Sequence, residues 1–197
     1  MSTVYPGMSR REIENINRQG EVSGSEISLY LSVATRRDPF RLATVRERPS
    51  EVSEGEFRVA VARQFCGELS KVLTRVGNEK ICTSECGEMR ATEEWNFLCS
   101  AHPKPKECPA IEYMRHTVDQ CTGVLLQGKN PSEHLGSILR RLYRILAHLY
   151  FHHEDFFTRW EEEHALCARM THFLETSSLV SRETLIVPKS AFQGIAS

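Results

Sequence analysis

At 197 residues and 40% hydrophobic content, the chain has room for one domain with a real core and hardly for two. Its 25 Lys and Arg against 26 Asp and Glu leave a net charge of -1, which argues against nucleic acid as a partner, since that affinity draws on an excess of basic side chains. No apolar run approaches the roughly 18 residues a membrane span requires, so no integral membrane segment is expected. The N-terminus lacks the apolar stretch of a signal peptide, and Ser2 stands where a myristoylation signal needs glycine. Seven cysteines, an odd number, fit metal ligands and buried thiols better than a disulfide framework, so a reducing compartment, cytoplasm or nucleus, is expected.

Residues 1–24 are polar and aperiodic and read as a mobile tail. Ser25 can cap a short helix in which Ile27, Tyr30, Leu31 and Ala34 share a face. From Asp38 to Glu54, two prolines and many charges indicate a long surface loop. A strong helix follows, with Phe57, Val61, Phe65, Leu69, Val72 and Val76 at steps of three and four, closed by Gly77 and Asn78. Between Ile81 and Pro109 the pattern is irregular, although Trp95, Phe97 and Cys99 alternate like one face of a strand in a small hairpin. Pro109 suits the first turn of a helix whose apolar side is Ile111, Met114, Val118, Cys121 and Leu125. After a connector over Gly128 to Glu133, Leu135, Ile138, Leu139, Leu142, Ile145, Leu146 and Leu149 make the clearest stripe in the chain. A last helix carries Leu166, Met170, Phe173 and Leu174, and the apolar run Leu185 to Pro188 is suited to packing back on the body. The expectation is a mainly α, single-domain helical bundle of four or five helices over residues 25–190, with one small β-hairpin and a C-terminal tail over 191–197.

Two groups of residues carry chemistry. Cys82 and Cys86 precede the long helix, and His148, His152 and His153 cluster at its end. Cysteine and histidine pairs at short spacing supply the four sulfur and nitrogen ligands of a closed tetrahedral zinc site. On an unbroken helix, His148 and His153 would point about 140° apart at roughly 100° per residue. His148 and His152 would share a face, so regular geometry favours His152, and His153 can serve only if the helix breaks. The second group is Arg140, Arg141 and Arg144, one to two turns earlier and away from the leucine stripe. No acid stands three or four positions from any of them. They read as a solvated face, as partners of an acid on a distant helix, or as an anion site in which planar guanidinium forks grip phosphate oxygens.

Catalytic signatures are scarce. There is no phosphate-binding glycine loop, no Gly-x-Ser-x-Gly elbow and no His-Glu-x-x-His. Cys99 or Cys108 beside His102 or His116 keeps a small zinc- or thiol-dependent hydrolase as the alternative to an adaptor, although buried structural thiols are the commoner case.

The segment Ala91–His102, then Pro105–His116 with Glu-Cys-Pro-Ala-Ile-Glu-Tyr at its centre, resembles the Mob family and most of all its phocein branch. Ser137–His153 is similar to the same family's central helix and zinc-binding turn, and Leu185-Ile-Val-Pro188 to the phocein C-terminus. The resemblance implies a non-enzymatic helical adaptor with a structural zinc held by Cys82, Cys86, His148 and His153, and therefore a helix break near Phe151. Family cysteines are separated by four residues and these by three, so the loop must tighten and Cys82 is the ligand most open to replacement. It further implies that Arg140, Arg141 and Arg144 match a cluster used to bind phosphorylated kinase segments. The partners implied are protein kinases of germinal-centre or NDR type and a striatin-like scaffold carrying a serine/threonine phosphatase.

Overall fold

The computed structural model describes residues 24–192. The tail expected over 1–24 lies, apart from Gly24, outside the described residues, as does 193–197 of the C-terminal tail. Six α-helices are present among the described residues: α1 (Gly24–Arg37), α2 (Glu54–Asn78), α3 (Ala110–Gln127), α4 (Leu135–His152), α5 (Glu154–His164) and α6 (Leu166–Ser177). None of them is long and apolar enough to cross a membrane.

Helix α2 starts on a capping box: Ser53 Oγ accepts from the Glu56 amide at 3.3 Å, and the Glu56 carboxylate accepts from the Ser53 amide at 3.2 Å. Its stripe of Phe57, Val61, Phe65, Leu69, Val72 and Val76 is buried against α1, α3 and α4. All seven residues of the α4 stripe are buried as well. At about 1.5–3 kcal/mol for each buried aliphatic side chain, that face alone contributes roughly 10–20 kcal/mol before conformational entropy is set against it. α2 and α4 are thus the axis of the bundle.

Three expectations need correction. The loop from Asp38 to Glu54 is not simply a surface feature: Leu42–Val45 forms a 3-10 turn, and Val45 and Val52 enter the core. The small β-hairpin does not form as strands. The segment 79–109 is a ribbon with isolated antiparallel bridges at Glu88–Pro109, Arg90–Asn96 and Cys99–Lys106, so Phe97 and Cys99 point inward while Trp95 remains half exposed. The third correction is α5, which continues from α4 after a break at His153 and had no counterpart among the expected elements. The Leu185–Pro188 run does pack back, and the Val187 amide donates to Tyr143 Oη at 3.1 Å.

A buried ion pair ties the far side together. Arg169 on α6 is fully buried and grips the Glu68 carboxylate of α2 with both terminal nitrogens, one contact measuring 3.0 Å. Glu161 of α5 accepts the Cys167 and Ala168 amides at 2.8 and 2.7 Å, so a carboxylate satisfies the first turn of α6.

Candidate metal centre and arginine face

The ribbon leaves α2 through Cys82 and turns at once into a 3-10 turn over Ser84–Cys86. Thr83 organises that turn: its hydroxyl accepts from the Glu85 amide at 3.3 Å, and its carbonyl accepts from the Cys86 amide at 3.1 Å. This is how a three-residue separation brings both sulfurs to one point. Gly87 follows with φ +78°, a left-handed value that favours glycine, and its carbonyl accepts the Ala110 amide at 2.8 Å.

The histidines come from the end of α4. The last α4 hydrogen bond runs from the His153 amide to the Leu149 carbonyl, and the first of α5 from the Phe157 amide to the His153 carbonyl. Between them His153 takes φ -141° and ψ 50°, outside the helical region. The break thus falls on His153 itself, two residues beyond Phe151, and it frees that ring to turn toward the cysteines. Glu154 and Asp155 then supply the acidic first turn that a helix N-terminus favours.

Cys86 Sγ lies 3.5 Å from His148 Nε2 and 3.4 Å from His153 Nε2, and Cys82 Sγ lies 3.7 Å from His148 Nε2. All four donor atoms fall within 4.8 Å of one another. A tetrahedral zinc with bonds of about 2.0–2.3 Å would set its donors roughly 3.3–3.8 Å apart. The donor chemistry fits too. His148 Nδ1 donates to the Arg90 carbonyl at 2.7 Å, which leaves Nε2 as the free lone pair facing the sulfurs. Burial lowers the His148 pKa to about 4, so the ring is neutral and ready to ligate. Burial, then the neighbouring Cys86, push the Cys82 thiol up to about 12, a barrier that a divalent cation removes by ionising the sulfur it binds. His152 is outside the group: it is exposed, and its ring packs on that of His148 with centroids 4.7 Å apart.

The three arginines are not equivalent. Arg140 is exposed. Arg141 donates to Ser100 Oγ at 3.1 Å and Gln120 Oε1 at 3.4 Å, and it borders a cleft of about 410 Å³ shared with Lys129, Glu133, His134 and Ser137. Arg144 donates to Tyr113 Oη at 3.0 Å and lies over the Phe97 ring at 4.6 Å. Among the described residues none of the three forms an ion pair, so the distant-acid explanation of this cluster finds no support. Arg141 and Arg144 instead meet neutral acceptors on the ribbon and α3, which the local sequence does not reveal, and Arg141 Nε also donates to the Ser137 carbonyl of α4 at 3.3 Å.

Sequence reasoning missed a second convergence. Cys99, His102, Cys108 and His116, considered singly as nucleophile and base, come together with donor atoms within 4.8 Å. Their Cys-x2-His start was the available signal. Cys99 and Cys108 are both buried, and burial raises the Cys108 thiol pKa, the opposite of what an activated nucleophile needs.

A sequence model described as the Mob1/phocein family matches residues 34–185, and so covers the ribbon, both Cys/His groups and the arginines. The chain belongs to the Mob1/phocein family. Among Mob1/phocein relatives, MOB kinase activator-like 4 of Drosophila melanogaster is 42% identical over 173 residues, covering 82% of this chain and 77% of the relative. MOB-like protein phocein of Caenorhabditis elegans is 39% identical over 177 residues, covering 84% and 78%. The family is one of non-catalytic adaptors.

Proposed function

We propose that this protein is a non-catalytic adaptor, stabilised by a structural zinc on Cys82, Cys86, His148 and His153, that docks protein kinases and a phosphatase-bearing scaffold. The observation that carries this reading is the family match over 34–185, which contains every residue invoked. Two thiolates and two imidazoles favour zinc over harder cations, and four protein ligands leave no open position for a reactive water. The metal's contribution is structural: it pins the ribbon to the end of α4.

Arg140, Arg141 and Arg144 are proposed to receive phosphorylated partner segments. Arg141 supports this most directly, because its neutral acceptors, Ser100 and Gln120, can be exchanged for a dianion at the adjoining cleft. The name of the Drosophila relative refers to kinase activation, which suits germinal-centre or NDR-type kinases as partners. The likeness to phocein supports a striatin-like scaffold with its serine/threonine phosphatase as the assembly. Seven free cysteines suit the cytoplasm as the compartment, and 25–190 is taken as the working domain.

The test is a fluorescence titration with paired phosphorylated and unphosphorylated peptides from such kinases. Phosphorylation is expected to tighten binding. An Arg140→Ala, Arg141→Ala, Arg144→Lys variant is expected to lose about 10- to 150-fold, the worth of one charge-assisted hydrogen bond at about 1.5–3 kcal/mol. Lysine is used at 144 because alanine would also uncover Phe97. Equal binding of both peptide forms would remove the phosphate-reading role.

A further inference from the structure

We propose that the cleft between α1, α2, α5 and α6 binds a carboxylate, carried either by a small free acid or by the C-terminus of a partner chain. Among the described residues, three buried side-chain polar atoms have no hydrogen-bond partner: Thr35 Oγ1, Trp160 Nε1 and Arg169 Nε. They come from three different helices, α1, α5 and α6, yet all three residues line this one cleft of about 290 Å³. A buried donor without an acceptor is costly and uncommon, and a buried indole N–H usually finds a partner. Three such atoms gathered at one cavity are accounted for by a ligand that completes them. The donors are held in place. Arg169 is fully buried, its terminal nitrogens grip the Glu68 carboxylate, one contact measuring 3.0 Å, and one of them also donates to the His164 carbonyl at 3.1 Å. Nε is the guanidinium nitrogen left without an acceptor. The Trp160 indole stacks on the His164 ring, centroids 4.1 Å apart and planes at 7°, and His164 Nδ1 donates to the Trp160 carbonyl at 3.1 Å. Turning the indole N–H toward water would break that stack.

The chemistry of the occupant follows from the atoms it must satisfy. An indole N–H and a guanidinium N–H only donate, and the Thr35 hydroxyl can donate as well, so the ligand presents acceptor oxygens. Charge selects an anion. Both acids at the cleft are engaged, Glu68 with Arg169 and Glu163 with Arg75, whereas Arg36 and Lys71 form no ion pair among the described residues. The Glu68 carboxylate in the wall repels added negative charge, which disfavours a dianion such as phosphate and leaves a singly charged carboxylate as the best match. Trp160 and Pro39 supply apolar wall for the rest of the ligand. The volume sits just under the roughly 300–1,000 Å³ usual for ligand pockets, so it fits a compact acid or one terminal residue rather than a long segment. The cleft shares no residue with the metal centre or the arginine face. An occupant would bridge α1, which packs on α2, to α5 and α6 independently of zinc.

The experiment is an NMR titration of the zinc-loaded full chain with nitrogen-15 in its indole rings. The probes are sodium benzoate, a short acetylated peptide with a free C-terminal carboxylate, the same peptide amidated at its C-terminus, and inorganic phosphate. The chain has two tryptophans, so Trp95 on the ribbon is the internal control. The Trp160 indole resonance is expected to shift saturably with benzoate or with the free-carboxylate peptide while that of Trp95 stays still, and the tighter of the two probes identifies the source. Thr35→Val, close in shape, and Trp160→Phe, which keeps an aromatic ring but loses the N–H, should each weaken binding about 10-fold or more by calorimetry, the worth of one hydrogen bond to a charged group. Lys71→Gln should flatten the salt dependence of binding. Amide exchange in α1 should slow on saturation in wild type and not in Thr35→Val. Equal response to phosphate or to the amidated peptide would overturn the proposal, as would undiminished binding in both Thr35→Val and Trp160→Phe. So would the absence of a saturable shift with any probe, the result if ordered water alone satisfies the three atoms.

Discussion

Replacing His153 by alanine, with His152→Ala as its control, separates a ligand from a neighbour one residue away. Structural zinc binds with about 10–16 kcal/mol, so each of four ligands accounts for roughly 2.5–4 kcal/mol. His153 Nε2 sits 3.4 Å from Cys86 Sγ, within coordination geometry, whereas His152 is exposed and packs its ring on that of His148. His153→Ala should therefore weaken zinc binding about 60- to 700-fold, at about 1.4 kcal/mol per factor of ten. Because metal bound only to the folded state stabilises by mass action, the melting temperature should fall about 5–16 °C at roughly 2–4 °C per kcal/mol. His152→Ala should stay close to wild type. Zinc content and differential scanning calorimetry on the same preparations read both quantities. Full zinc and an unshifted melt in His153→Ala, with loss in His152→Ala, would refute the ligand assignment and the significance given to the break in α4.

Glu68→Ala should leave Arg169 buried without its carboxylate, at a cost of about 3–5 kcal/mol, with zinc content unchanged; chemical denaturation measures it. Burial pushes the thiols of Cys66 and Cys121 up to about 12 and about 11 from 9.0. Because the folded values lie above the unfolded ones, their stabilising contribution is complete below pH 9 and is lost as pH rises toward those values. Each thiol should take away up to about 1.4 kcal/mol per pH unit, and the slope should flatten in Cys66→Ala/Cys121→Ala when denaturant midpoints are followed from pH 8 to 11. Purified protein should not hydrolyse generic ester, peptide or phosphate substrates; turnover abolished by Cys99→Ser or Cys108→Ser would restore the hydrolase alternative.

The long amphipathic helices were legible because α2 and α4 each bury one continuous stripe, and burial in the structure follows that stripe residue by residue. Helix α5 was not. Its inward residues, Phe156, Phe157 and Trp160, are few, they are followed by three glutamates, and it begins directly where α4 stops. The hairpin was over-read from alternation alone: Phe97 and Cys99 do face inward, but the pairing across the ribbon never extends beyond single bridges. At the first Cys/His group, regular helix geometry favoured His152, and the resemblance to Mob proteins pointed correctly to a break, since a change in ψ at one residue leaves no periodic trace. The tightened cysteine loop became intelligible only with the Thr83-capped turn. The second Cys/His group and the acceptors of Arg141 and Arg144 were hidden for a common reason. They join residues from the ribbon, α3 and α4, and no local pattern encodes such a meeting.

The role proposed for this chain is that of an adaptor between kinases and a phosphatase-bearing scaffold. The most direct measurement is affinity capture on zinc-loaded chain from a native lysate, quantified by mass spectrometry and run in parallel with the Arg140→Ala, Arg141→Ala, Arg144→Lys variant. Recovery of a germinal-centre or NDR-type kinase, or of a striatin-like scaffold with its phosphatase, is expected, with selective loss of the phosphorylated kinase on the variant. Recovery of none of these by wild-type chain, with its zinc intact, would contradict it.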